Sequence, residues 1–82
     1  MADLDRIHAL SYENEQAVLS SQKCGCFYCR KVFDRNSIIE WVDDCNARTA
    51  LCPHCGVDAV LPDSTVELSD ELLIRMYERW FG

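Results

Sequence analysis

The chain is short of histidine, of cations and of long apolar runs, and each shortage narrows what it does. Only two histidines, His8 and His54, occur among 82 residues. Histidine is the side chain best suited to proton transfer near neutral pH and a frequent ligand of catalytic zinc. No His-Glu-x-x-His run is present. The His-x-Glu … Pro-Cys-x-x-Cys pattern of zinc deaminases is missing too, because Pro53 lies inside its cysteine pair rather than before it. Acids are numerous, but no two stand out as an acid/base couple. The chain is therefore not read as an enzyme, and no catalytic residue is expected.

Cations are outnumbered. Eight Lys and Arg stand against fourteen Asp and Glu, a formal charge of −6. A domain whose main task is to grip phosphate backbones needs a basic face, so nucleic acid is disfavoured as the partner. No stretch approaches the about 18 apolar residues of a membrane span, so no membrane association is expected. The start, Met1-Ala2-Asp3-Leu4-Asp5, has neither a basic segment nor an apolar one. A secretory signal is not expected there, and the reading is cytoplasmic. Internal repeats and low-complexity tracts are absent.

What the chain does have is cysteine, six in all. In a chain without a secretory signal this points to metal ligation rather than to disulfides. The spacing carries the argument. Cys26-Phe27-Tyr28-Cys29 and Cys52-Pro53-His54-Cys55 are two Cys-x-x-Cys pairs with twenty-two residues between them. Each pair brings two sulfurs to one side of a tight turn, and two such turns complete the tetrahedron that Zn²⁺ prefers. Gly56 follows the second pair, where a left-handed residue is easiest, and Pro53 pre-sets the turn. Arg30 holds the corresponding place after the first pair, at an expected cost of about 1 kcal/mol or more. Four cysteines close the shell, so Cys26, Cys29, Cys52 and Cys55 are expected to hold a structural Zn²⁺. Iron suits four thiolates as well, and zinc is the commoner occupant. A thiol–disulfide role is the competing reading of a Cys-x-x-Cys pair. Two pairs together, each on a turn between strands, favour the metal.

Two cysteines remain. Cys24 lies two before Cys26, on the same face of an extended segment, and is either an alternative ligand or a thiol beside the metal. Cys45 falls on an apolar stripe and is read as a small buried hydrophobe. His54, inside the second turn, is read as solvent-facing, and His8 as a solvated surface residue.

The local pattern gives an α+β fold in one domain over 1–82: an N-terminal helical segment 1–23, a zinc ribbon 24–61 and a C-terminal helix 69–81. A helix is expected at 12–21, capped by Ser11. Leu4, Ile7 and Leu10 also fall at helical spacing. Ile38, Trp41, Val42 and Cys45 recur at i, i+3, i+4 and i+7, which predicts a helical insertion over 34–45 between the knuckles. Short antiparallel strands are expected at 49–51 and 57–61. The best helix runs over 69–80, with Ser69 as cap, Asp70 and Glu71 in the first turn, and Leu72, Leu73, Met76, Tyr77 and Trp80 as its inner stripe. The expected core is Phe33, Trp41, Val60, Leu73, Met76 and Trp80. A treble-clef-like arrangement is the alternative to the ribbon.

Two surfaces merit attention. Ile74 and Phe81, bordered by Tyr77, share a helical face of their own. They are either ordinary exposed apolar residues or a strip that meets a protein partner or a second copy. Lys23, Arg30, Lys31 and Arg35, interleaved with Phe27, Tyr28 and Phe33, have the composition of a small nucleic-acid patch. They also serve to balance the charge of a four-thiolate zinc, which carries −2 and would bring the domain to about −8.

The knuckles carry a resemblance. Cys24-Gly25-Cys26-Phe27-Tyr28-Cys29 followed by Phe33, then Trp41, then Thr49-Ala50-Leu51-Cys52-Pro53-His54-Cys55-Gly56-Val57-Asp58, and the closing Arg79-Trp80-Phe81, resemble a small family of uncharacterised bacterial cytoplasmic proteins. The likeness covers about half the chain. It implies a zinc-ribbon-like domain and no established activity. The expected role is that of an adaptor module for a protein partner or for self-association.

Overall fold

Among the described residues, three short helices and four other short strands are arranged with β1, whose Cys24, Gly25 and Cys26 are buried. The computed structural model describes residues 3–82; Met1 and Ala2, the start of the segment expected over 1–23, lie outside them. Helix α1 spans Leu4–His8, and a 3₁₀ turn, Ala9–Ser11, leads on to α2, Glu15–Leu19. Strand β1 is Lys23–Cys26 and β2 is Val32–Asp34. A 3₁₀ turn, Arg35–Ser37, precedes β3, Trp41–Asp43, and β4, Arg48–Ala50. Strand β5, Val60–Pro62, and helix α3, Asp70–Trp80, close the chain. The fold is α+β with two antiparallel sheets.

The larger sheet has the order β2-β1-β5. Cys24 faces Phe33 on one side and Pro62 on the other, and Cys26 faces Val60. Pro62 ends its strand at the sheet's edge, where a missing N–H is tolerated. A Cβ at Gly25 would stand 3.4 Å from methyls of Leu68 and of Leu73 on α3, at the near edge of ordinary contact, so the helix packs closely over β1 here. Leu73 and Met76 are fully buried against this sheet together with Val60 and Leu61.

Helix α3 forms as its sequence dictates. The Ser69 hydroxyl accepts from the Leu72 N–H at 3.1 Å, and Asp70 and Glu71 occupy the first turn, where the dipole favours acids. Leu72, Leu73 and Met76 are buried; Tyr77 and Trp80 are half-buried at the margin.

The helix expected over 34–45 does not form. That segment is the 3₁₀ turn followed by a β-hairpin, with Trp41 opposite Ala50, Val42 opposite Thr49 and Asp43 opposite Arg48. The Leu51 N–H donates to the Glu40 carbonyl at 3.1 Å and extends the pairing. Ile39, Trp41 and Val42 are β-branched or aromatic and suit a pleated surface. Trp41 turns partly inward and Val42 outward, the period of a strand. Cys45 consequently lies in the hairpin turn and is exposed, not a buried core residue.

The N-terminal helix is also shorter than the expected 12–21, and Ser11 is not its cap. The Ser11 hydroxyl donates to the His8 carbonyl at 2.7 Å, and Asn14 takes the N-cap position. Asn14 makes no capping bond, because its amide is used in the interior. Glu13, at φ 49°, turns the chain there. Its N–H donates to the Thr49 hydroxyl at 2.8 Å, and its carboxylate accepts from the Asn46 N–H at 2.7 Å. Arg48 reaches back from β4 to the Glu15 carboxylate through Nε at 2.8 Å, with its guanidinium over the Trp41 ring. The N-terminal segment thus straps the hairpin to the main sheet.

Of the expected core, Phe33, Val60, Leu73 and Met76 are buried, whereas Trp41 and Trp80 are partly exposed and pack against its rim. Phe27 is buried at its centre.

Candidate metal centre

Two turns of the same construction meet at one point. In the first, the Cys26 N–H donates to the Lys31 carbonyl at 3.0 Å; in the second, the Cys52 N–H donates to the Val57 carbonyl at 3.0 Å. The Tyr28 N–H points at Cys26 Sγ at 3.4 Å, and the His54 N–H points at Cys52 Sγ at 3.3 Å. Each turn then passes through a left-handed residue, Arg30 at φ 61° and Gly56 at φ 76°. The equivalence follows from the shared Cys-x-x-Cys spacing. Such a turn must reverse direction within four residues to aim both sulfurs the same way.

The sulfurs of Cys26, Cys29, Cys52 and Cys55 all lie within 4.8 Å of one another. Cys26 and Cys55 approach to 3.6 Å, as do Cys29 and Cys52. The edge of a tetrahedron with metal–sulfur bonds of about 2.3 Å is about 3.8 Å. A disulfide needs sulfurs about 2.05 Å apart, and all six cysteines are free. Four cysteines so placed can bind one metal ion.

The electrostatics have the same sense. Burial pushes the Cys26 and Cys29 thiols above their ordinary range, against backbone N–H groups that favour the thiolates. Burial also acts on Cys52, but hydrogen bonds from the His54 and Cys55 N–H groups and from neighbouring sulfurs outweigh it and hold that thiol below its usual value. Without a cation, burial keeps the Cys26 and Cys29 thiols protonated near neutral pH. With one, the inward-pointing N–H groups stabilise the charge the sulfurs acquire.

The other cysteines stand apart. Cys24 is fully buried within β1 and does not belong to the four-sulfur cluster. Burial, reinforced by Asp63 and opposed by Arg35, pushes its thiol up to about 12. Cys45 is at the far hairpin turn. His54 is exposed, with its ring 5.6 Å from that of Phe33. His8 is not simply solvated. It is half-buried and stacks on Trp80 with ring centres 4.2 Å apart.

The basic stretch Lys23, Arg30, Lys31 and Arg35 keeps little of its aromatic interleaving at the surface. Phe27 and Phe33 are buried, so only Tyr28 of its aromatics reaches the surface. Lys23 pairs with Asp34 at 3.0 Å, and Arg35 is half-buried.

Comparison of the chain with protein-family profiles, curated proteins and solved structures returned no match. Among the described residues, no helix is long and apolar enough to cross a membrane.

One residue central to this arrangement carries no signal in the sequence. Asn14 is 5% exposed and bonds to both sheets. A single asparagine in a polar segment has no spacing that marks it.

Proposed function

We propose that Cys26, Cys29, Cys52 and Cys55 hold one structural Zn²⁺ in a closed four-thiolate site. On this reading the domain is a zinc-ribbon-like, non-catalytic module of the cytoplasm that serves protein interaction. The observation that carries the metal reading is the convergence of four sulfurs within 4.8 Å, two from each turn. Thiolates favour zinc, and four of them leave no open position for water or substrate. The His54 imidazole, in the second turn, stands 5.6 Å from the Phe33 ring.

The metal then acts as a fastening. Structural zinc contributes about 10–16 kcal/mol of apparent binding energy, as much as the whole stability of many small domains. That is ample to hold strands of three or four residues together. The interaction role rests on exposed apolar residues around the first knuckle and on the acidic balance of the chain, −6. Element analysis of the purified chain, with and without a strong chelator, tests the metal. One zinc per chain, with loss of the folded circular-dichroism spectrum on chelation, supports the reading; a folded, metal-free chain contradicts it.

A further inference from the structure

The four clustered sulfurs fall into two close pairs, and both pairs run between the knuckles. Cys26 Sγ lies 3.6 Å from Cys55 Sγ, and Cys29 Sγ lies 3.6 Å from Cys52 Sγ. Burial sorts the same pairs. Cys26 and Cys52 are buried, 0% and 3% exposed, whereas Cys29 and Cys55 are half-buried. Each close pair therefore joins a cysteine partly open to solvent to one closed from it. The closed members are the two whose sulfurs the Tyr28 and His54 N–H groups hold in place.

This is the layout of an oxidisable sulfur with its resolving partner beside it. A sulfur attacked by peroxide becomes a sulfenic acid, and a neighbouring thiolate converts that to a disulfide. The neighbour acts fast when it already stands near the about 3–3.5 Å of a near-attack geometry. At 3.6 Å, Cys52 is so placed for Cys29, and Cys26 for Cys55. In the first step the Cys29 sulfur bonds to one oxygen of hydrogen peroxide, the O–O bond breaks and hydroxide leaves. In the second, the Cys52 sulfur attacks that of Cys29, the S–S bond forms and a second hydroxide leaves. Two protons turn both hydroxides to water. The pair has lost two electrons and the peroxide has gained them. Cys55 and Cys26 consume a second peroxide in the same way.

Which cysteines pair decides what becomes of the fold. A disulfide within a knuckle joins positions three apart and leaves the two knuckles unconnected. Disulfides between knuckles join positions 23 and 29 residues apart. The restriction of the unfolded chain grows with the loop that is closed. Two such bonds tie the same two turns that the metal ties. Since thiolates are the metal ligands, the oxidised pairs give up their hold on it. Cys24 is fully buried within β1 and Cys45 lies in the hairpin turn, so neither competes as partner.

We propose that the four-cysteine cluster is a peroxide-responsive clasp: oxidation joins Cys29 to Cys52 and Cys26 to Cys55, expels the metal and leaves the domain folded. The inference rests on the metal reading above and adds a second state to the same site. The test uses the full metal-loaded chain carrying Cys45→Ser, which removes the exposed thiol that would link two chains. Hydrogen peroxide is added one equivalent at a time in the presence of a zinc-responsive dye. Remaining thiols are then blocked in acid, and the disulfides are mapped by mass spectrometry of an unreduced digest. The expected result is one zinc released per two peroxides, with Cys29–Cys52 and Cys26–Cys55 as the main bonds. The circular-dichroism spectrum of the folded chain should persist, and a thiol reductant with added zinc should restore the starting state. Chelation of the reduced chain abolishes that spectrum, so its persistence after oxidation reports the disulfides. Bonds within Cys26–Cys29 and Cys52–Cys55, oxidation to sulfinic or sulfonic acid without disulfides, or loss of the folded spectrum overturns the proposal. Metal content is measured before peroxide is added. One zinc per chain followed by bonds within the knuckles removes the clasp and leaves the metal site standing. A chain without metal that forms the two bonds between knuckles does the reverse.

Discussion

The side-chain amide of Asn14 donates to the Val60 carbonyl at 2.9 Å across forty-six residues of sequence. The same amide donates to the Leu10 carbonyl at 3.0 Å, and its oxygen accepts from the Ala50 N–H at 3.1 Å. One buried side chain therefore joins β5 of the larger sheet to β4 of the hairpin and fixes the turn before α2. Replacing it leaves buried backbone groups without partners, at about 1–3 kcal/mol each. Asn14→Ala should lower the stability of the metal-loaded protein by about 2–5 kcal/mol, read from the denaturant midpoint. Asn14→Asp keeps the acceptor for Ala50 but loses both donors, so it should not rescue. An Asn14→Ala protein as stable as wild type would show that the bridge does not hold the sheets.

The two knuckles differ at their left-handed residue, and this gives opposite expectations. Gly56 has open space around its α-carbon, so Gly56→Ala costs only backbone strain, about 1–2 kcal/mol. Arg30→Gly removes comparable strain but forfeits the cation–π contact with Tyr77, worth about 0.5–1 kcal/mol at an exposed site. Its net effect should be small and, if anything, stabilising. Thermal melts of the two variants at low micromolar concentration compare them directly. A large loss of stability in Arg30→Gly would place Arg30 in the fold rather than at its surface.

Thiol accessibility should sort the six cysteines into three kinds. Cys45 is exposed and should react with an alkylating reagent in the folded protein. Cys24 is buried, with its thiol pushed up to about 12, and should be slow with or without metal while the fold persists. Cys26, Cys29, Cys52 and Cys55 should be protected until a chelator is added. In the same vein, Cys45→Ser should retain full metal at unchanged stability. Cys24→Ala should retain full metal at a cost of about 1 kcal/mol for the buried volume lost. Serine at any of the four clustered positions should lower metal affinity sharply. Loss of metal in Cys24→Ala would move a ligand position to Cys24.

Metal uptake should release protons. Burial holds the Cys26 and Cys29 thiols above their ordinary range, so both carry protons near neutral pH when no cation is present. Binding the metal as thiolates expels them, and apparent affinity falls as pH falls. Because the metal stabilises the folded state, stability should fall in the same direction. Calorimetry in buffers of different ionisation enthalpy counts the protons. Two or more per metal is the expected result, and none would mean the sulfurs do not bind as thiolates.

The four-cysteine cluster and α3 were legible in the sequence for definite reasons. The four cysteines stand at a spacing that few other structures require. Helix α3 has a cap, first-turn acids and three turns of apolar period, enough to dominate any local accident. The middle of the chain offered no such length. Strands β2, β3, β4 and β5 are three residues each, too short to display a period of two. Ile38, Trp41, Val42 and Cys45 satisfy a helical period by coincidence, and the β-branched content of the segment was the better guide. The strap around Asn14 and Glu13 depends on contacts more than thirty residues apart, which no local pattern reveals.

The most direct test of the account is native mass spectrometry of the intact chain, combined with element analysis. The account predicts one zinc ion per chain, removed only with the folded charge-state distribution, and abolished by Cys52→Ser. A folded chain without metal, or one whose Cys26–Cys29 and Cys52–Cys55 pairs are oxidised to disulfides, would contradict it.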